Sequence, residues 1–363
     1  MLRCNLILLA GLALASAALH ASYLEEPAEA RPAPPVRVIP EPPDDPLTQA
    51  IRRLDIERPH HYKGLTVFAL TARKVADDTG YLSLSDALAE ELVVITEKGS
   101  GSVPRLLAEN RSSRFVLMLA GEVVTGGKQN RTLQQDLLLP PKSGRVELPV
   151  FCVEQRRWSG PEGEFRKSPS VAALGVRNAA QAGKSQDAVW GNVRSYQEQL
   201  RVDSSTADLQ DVNEAPDVQR AVRDYVGALK PYWPRDAVGM VVARQGRIVG
   251  ADFCCSPALF REHRDRLLES YALDCYALRT TPRGPIVGTP PELARRFLER
   301  AMHARHTWTA TPGAGRLMRV SGHDVTGLAL VRKDAVLHAG LFPQEPVIRP
   351  VPIERPLRRL PTD

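Results

Sequence analysis

The chain has 363 residues, 43% hydrophobic and 25% charged, a length that calls for one large domain or two small ones. Its 48 Lys and Arg against 42 Asp and Glu leave a net charge of +6, with both signs mixed along the sequence. A nucleic-acid binder gathers its Lys and Arg on one face or stripe; no such stripe appears here, which argues against nucleic acid as a partner.

Met1 to Ala21 reads as a signal peptide. Arg3 gives a short positive start, Asn5 to Leu19 is apolar, and Ser16-Ala17-Ala18 and Ala21 offer small-residue cleavage sites. The expectation is export, periplasmic or secreted, with an uncleaved N-terminal anchor as the alternative. Removing the segment takes away Arg3 alone, so the charge falls from +6 to +5. Residues 22–50 form a proline-rich linker, with Pro27, Pro32, Pro34, Pro35, Pro40, Pro42, Pro43 and Pro46, a density that favours extended polyproline geometry. Residues 343–363 are a second proline-rich stretch carrying Arg349, Arg355, Arg358 and Arg359, a basic tail suited to contact with an anionic membrane surface. A single folded domain is therefore expected over 51–342.

Within it, short β-branched or apolar runs predict strands at Leu65 to Leu70, Leu92 to Ile95, Phe115 to Leu119 and Val146 to Val153. Ser83 with Asp86 predicts a capped short helix. Polar, Ala-rich and Gln-rich sequence predicts helices near Ala173 to Ala182, Trp190 to Leu200 and Asp217 to Leu229, with a loop over Arg201 to Asn213. Strands return at Val238 to Val242 and Arg247 to Asp252. Ser256-Pro257 opens a helix to about Ala277, and Thr289-Pro290-Pro291-Glu292 has a capping-box pattern. Three strands, near Leu317 to Val320, Gly327 to Val331 and Ala335 to Leu341, close the body. The class is α+β, with a strand-rich N-terminal half and a mixed C-terminal half. Gly239 to Phe253 and Gly327 to Leu341 both read as strand, turn, strand, with Arg244 opposite Arg332, which suggests duplicated hairpin units.

Four cysteines remain after the signal: Cys152, Cys254, Cys255 and Cys275. Four allow three pairings, and adjacent Cys254 and Cys255 would strain a mutual bond. Buried free thiols are the alternative.

Two polar clusters carry candidate chemistry. In Gly126-Gly127-Lys128-Gln129-Asn130-Arg131 the glycines permit a sharp turn, Lys128 and Arg131 suit an anion, and Gln129 and Asn130 offer donors and acceptors to a ligand edge. A solvated hairpin loop is the plainer reading. In the stretch Leu148 to Trp158, a strand runs into Glu154, Arg156, Arg157 and Trp158. A half-buried Glu154 would serve as general acid or base, or as a permanent partner of an arginine. Trp158 would stack a planar ligand or pack in the core. Neither a phosphate-binding loop nor metal-ligand spacing nor a hydrolase elbow appears, so no metal is predicted and no cofactor is named.

Glu122, the run Gly127 to Arg131, the strand Pro149-Val150 with Cys152-Val153-Glu154, and Arg157-Trp158 together resemble the signature of the ARG-and-rhodanese-phosphatase-superfamily-associated protein domain, a likeness that extends loosely over Leu65 to Leu341. The resemblance implies no established activity. The family's name implies association with ADP-ribosylglycohydrolases and rhodanese-like phosphatases, hence a nucleotide or ADP-ribose-like ligand held by Glu122, Lys128, Gln129, Asn130, Arg131, Arg157 and Trp158. Phe151 and Arg156 depart from the family's small residue and glycine at those places. Three readings stand side by side: a binding or sensing module for an anionic ligand, a hydrolase using Glu154 as acid/base, and a structural or assembly protein of the cell envelope.

Overall fold

The computed structural model describes residues 43–77, 79–99, 104–157, 165–279 and 288–344. The expected signal peptide, residues 22–42 of the linker, the tail beyond Gln344 and Trp158 lie outside them. Among the described residues, mixed helix and strand confirm the α+β class.

The largest element is a 9-stranded antiparallel sheet. Its order runs Leu54–Ile56, Leu65–Ala72, Ala237–Arg244, Arg247–Cys254, Ala335–Pro343, Val325–Arg332, Arg316–Ser321 and Arg305–Thr309, with His60–Tyr62 paired beside the second strand. Period-two alternation sends side chains to opposite faces. Leu65, Val67, Met240 and Val242 pack with the long helix Pro257–Ala277 on one face, through Leu259, Phe260, Leu267 and Leu268. Phe68, Leu70, Val241 and Phe253 face the other way, covered by helices Pro46–Arg52 and Pro291–Met302 through Leu47, Ile51, Phe297 and Leu298.

The two hairpins suspected of duplication share their fine structure. Each turns through two residues of positive φ, Gln245 (47°) and Gly246 (82°) in one, Lys333 (50°) and Asp334 (61°) in the other, the geometry of a type I′ turn. Each then carries one extra residue on its second strand. Ala243 pairs Ile248 but Val242 pairs Gly250; Val331 pairs Val336 but Leu330 pairs His338. Such a bulge puts two successive residues on one face and re-aims everything beyond it. Val336 therefore packs under the short helices and Leu337 under the long one, and His338 stays on the long-helix side. The matching bulge at Val249 delivers Asp252 to that same side.

A 6-stranded sheet takes Phe165–Val171, Glu122–Gly126, Arg131–Leu133, Val146–Cys152, Arg105–Asn110 and Val93–Glu97 in that order. A 3-stranded one joins Leu137–Leu139, Val116–Met118 and Leu82–Ser83. They enclose their own core of Ile95, Leu106, Val124, Leu133, Leu148 and Phe165. Helices Leu174–Gln181, Gln186–Leu200, Leu209–Glu214 and Pro216–Leu229 close the remaining side, around Val153, Val193, Tyr196 and Leu209.

Most expected elements appear within a few residues, and Ser83 caps Leu84–Ala89 by accepting from Asp86 N. Three differ. The body starts earlier than Ile51: Asp45 caps a helix with Pro46 at its first position, and Leu47 is fully buried, because proline is tolerated where a helix N–H has no partner anyway. The expected loop Arg201 to Asn213 holds helix Leu209–Glu214, capped by Asp208. Thr289 is not a cap; Pro290 occupies that position without a side-chain bond, and Thr289 Oγ1 instead contacts Thr66 Oγ1 at 3.3 Å. The cysteines Cys152, Cys254, Cys255 and Cys275 are free and buried. No described helix is long and apolar enough to cross a membrane.

Candidate functional site

The turn between strands Glu122–Gly126 and Arg131–Leu133 and the end of Val146–Cys152 do meet, because Cys152 pairs Arg131 and Val153 N donates to Asn130 O at 3.0 Å. Gly127 adopts φ 50°, and a Cβ there would lie 2.5 Å from Phe165 Cζ and 2.7 Å from Glu97 Oε1. Only glycine closes this turn without displacing both.

At the centre is Glu154, buried, with Arg157 in a fork: Nε donates to Oε1 and Nη2 to Oε2, both at 2.7 Å. Arg157 Nη1 also donates to Gly127 O at 2.8 Å. Asn130 is held on every side. Its N–H donates to Glu154 Oε2 at 3.1 Å, its Oδ1 accepts from Gly126 N at 3.0 Å, and its Nδ2 donates to Asp208 Oδ2 at 2.7 Å. Gln129 is buried, with Nε2 donating to Gln155 O at 3.3 Å. The amide edges expected to read a ligand are thus largely spent on the protein, since a buried amide must find partners wherever they are.

Arg131 is fully buried; Nη1 donates to Gln129 O at 2.7 Å, and Glu97 lies 3.9 Å away as an ion-pair partner. Among the described residues, Arg131 Nε and Nη2 and Glu97 Oε2 have no hydrogen-bond partner. Glu97 Oε1 accepts from Lys128 N at 3.1 Å, and the Lys128 side chain is half-buried. Arg156 is exposed and leaves the cluster, while Phe151 packs partly buried against the Val153 core. Both family departures are therefore accommodated without touching Glu154.

Two members were missed by sequence reading. Glu97 ends a different strand, and Asp208 lay in a presumed loop. Asp208 bridges Glu154 backbone to backbone, and burial, with the charge of Glu154, pushes its carboxyl up to about 7. Burial pushes the Cys152 thiol up to about 11, which disfavours its thiolate at neutral pH.

Glu122 does not join this cluster. It belongs to a deeper network on the long-helix side of the large sheet. Glu122 Oε2 accepts from Leu119 N at 2.8 Å and Arg266 lies 3.6 Å from Oε1; burial dominates and pushes the carboxyl up to about 7. Beside it, fully buried Arg177 grips both oxygens of Asp252, Nη1 at 3.2 Å from Oδ2 and Nη2 against Oδ1. Tyr271 OH donates to Asp252 Oδ2 at 2.6 Å. His338 Nδ1 sits 2.7 Å from Asp136 Oδ2, and its Nε2 is 3.2 Å from Asp252 Oδ1, an ion-pair contact without hydrogen-bond alignment. Burial alone would depress His338; the two flanking carboxylates outweigh it and push the ring up to about 9. Burial likewise opposes ionisation of Asp252, but Arg177 and His338 hold it far below the usual carboxylate range. Arg177 and His338 against Asp136 and Asp252 make a charge-balanced interior quartet. Gly121, at φ 89°, leaves room for it: a Cβ would stand 2.4 Å from Arg177 Cγ.

Comparison with known proteins adds a family. The family described as the ARG and Rhodanese-Phosphatase-superfamily-associated Protein domain matches residues 53–342. No curated protein matches. Two solved structures, both of inactive mutants of the CurK dehydratase, are similar at 9% and 8% identity. The first covers 85% of this chain and 97% of that chain with a TM-score of 0.14, the second 83% and 97% with 0.13. Likenesses of that size carry no argument about fold or function.

Proposed function

We propose, from the premise that the chain belongs to the ARG and Rhodanese-Phosphatase-superfamily-associated Protein domain family, that it is a binding or sensing module for an anionic ligand engaged at the Lys128 turn. The charge balance there supports the reading. Lys128, Arg131 and Arg157 converge on one turn, opposed by Glu97 and Glu154, while the third carboxyl, Asp208, has its pKa near 7 and is part-neutral at neutral pH. An anion at the half-buried Lys128 rim would gain charge-assisted hydrogen bonds from these cations. An ADP-ribose-like nucleotide is the first candidate, since the family's description points there. The Arg157 fork on both oxygens of Glu154 favours binding over hydrolysis, because an acid/base needs an oxygen within reach of substrate. The same proposal keeps the protein outside the cytoplasm, on the strength of Met1 to Ala21.

Thermal melting with ADP-ribose, read together with product analysis, tests the reading. A salt-sensitive rise in Tm without products, reduced in Lys128→Ala, is expected. Product formation lost in Glu154→Gln would replace it with the hydrolase. No shift with ADP-ribose or related nucleotides would leave the envelope structural role in its place.

A further inference from the structure

A cavity of about 360 Å³ opens between the segment Trp233 to Ala237 and the first two turns of the long helix. None of its lining residues belongs to the Lys128 turn or to the deep quartet. Three arginines line it, Arg235, Arg261 and Arg264, and no Asp or Glu does. Arg235 and Arg261 are exposed, and neither has an ion pair or hydrogen bond among the described residues. Arg264 uses only Nε on Asp265, at 2.8 Å, leaving its two terminal nitrogens outside that pair. Its guanidinium also lies over the Trp233 ring, 5.4 Å from the centroid, which fixes it at the cavity wall.

Aromatic residues share the lining with the arginines. Trp233 and Phe260 stand edge to face, with centroids 5.6 Å apart and planes inclined by 69°, beside Pro257. The indole Nε1 of Trp233 is buried and has no acceptor among the described residues. Buried indole N–H groups almost always find one. The walls also sit at the N-terminal end of a helix of 21 residues, where the backbone dipole favours negative charge.

We infer that this cavity is a second binding site, separate from the Lys128 turn, for a small organic phosphate: the arginine forks take the phosphoryl group and the part-exposed Trp233 ring, backed by buried Phe260, takes a flat organic body. Guanidinium forks match phosphate oxygens in pairs, and Arg235 and Arg261 offer theirs to the cavity while Arg264 shares its charge with Asp265 and Arg261 lies near Glu262. The volume is that of roughly a dozen waters, far more than a bare phosphate ion fills and at the small end of ligand pockets.

The probes are adenosine 5′-monophosphate, which joins a flat ring to a phosphate, and inorganic phosphate alone. Titration of the full chain is followed by calorimetry and by tryptophan fluorescence, with Trp233→Phe assigning the signal. The monophosphate is expected to bind at least about tenfold tighter than phosphate, and Arg235→Ala/Arg261→Ala to weaken it at least about tenfold. Both arginines are exposed, so the double variant tests binding without unfolding the protein. Binding that survives the double variant but is lost in Lys128→Ala belongs to the first site and overturns this one. Equal affinity for the two probes overturns the organic wall, and absence of binding by either at low salt overturns the site.

Discussion

The Glu154 cluster and the Asp252–His338 quartet are both buried charge networks, yet they are built for different ends. The quartet pairs two cations with two anions and shuts them in at 0% or 1% exposure, so every charge depends on its partner. The Glu154 cluster reaches the surface: the Arg157 side chain is 27% exposed, Lys128 is half-buried, and among the described residues Arg131 Nε and Nη2 have no hydrogen-bond partner. A closed, neutral network secures the docking of sheet and helices; one that opens to solvent at a turn is the place where we propose that a ligand binds. Buried charge alone does not mark a functional site, because structural ion-pair networks also bury charge and perturb pKa values.

The sharpest way to break the contrast is Arg177→Met. It leaves Asp252 without its fork in a dry interior and is expected to cost about 3–5 kcal/mol in urea denaturation. A loss under about 1 kcal/mol would mean that the quartet tolerates imbalance and the comparison fails.

Next in size is a pH dependence. The His338 ring titrates near 9 in the folded state against 6.5 in the open chain. Its contribution is therefore complete below about pH 6.5 and is lost as pH rises through 9, an effect on the order of 3 kcal/mol. Glu122 and Asp208, both pushed up to about 7, lose their contributions between the usual carboxylate range and pH 7. Stability measured from pH 7 to 10 should fall, less steeply in His338→Gln; between pH 5 and 7, where depressed His263 works in the opposite sense, Asp208→Asn should reduce the loss due to the raised carboxyls. A flat profile in the native chain above pH 7 would contradict the two-carboxylate setting of His338.

Arg157→Ala should cost less, about 1–2 kcal/mol, because the part-exposed pair lets water reach Glu154. If its urea midpoint falls as far as that of Arg177→Met, the outer cluster is as closed as the inner one. Smallest of all is Arg156→Gly, which restores the family residue at an exposed position. It should change stability by less than about 0.5 kcal/mol and leave ADP-ribose affinity unchanged.

Much of this was legible locally. The hairpin Ala237–Arg244 with Arg247–Cys254 follows from alternation and a Gln-Gly turn, and the long helix from Ser256-Pro257. The two signature runs were each legible in the sequence, and the pairing of Cys152 with Arg131 brings them together. What escaped was non-local. Glu97 and Asp208 are 31 and 78 residues from the atoms that they bond, Lys128 N and Asn130 Nδ2, and nothing in their own surroundings announces it. Glu122 was grouped with its sequence neighbours, although its position at the start of a strand that ends at Gly126 turns it toward the other network.

The sequence by itself determined the α+β alternation, the repeated hairpins, the Ser83 and Ser256 helix caps and the residues of the turn, because each rests on periodicity and on backbone preferences within a few residues. The tertiary structure alone decided which charges face one another. One bulge in each hairpin, a shift of a single residue, sends Asp252 and His338 to the face where Arg177 and Asp136 arrive from distant segments, and no local pattern fixes that encounter.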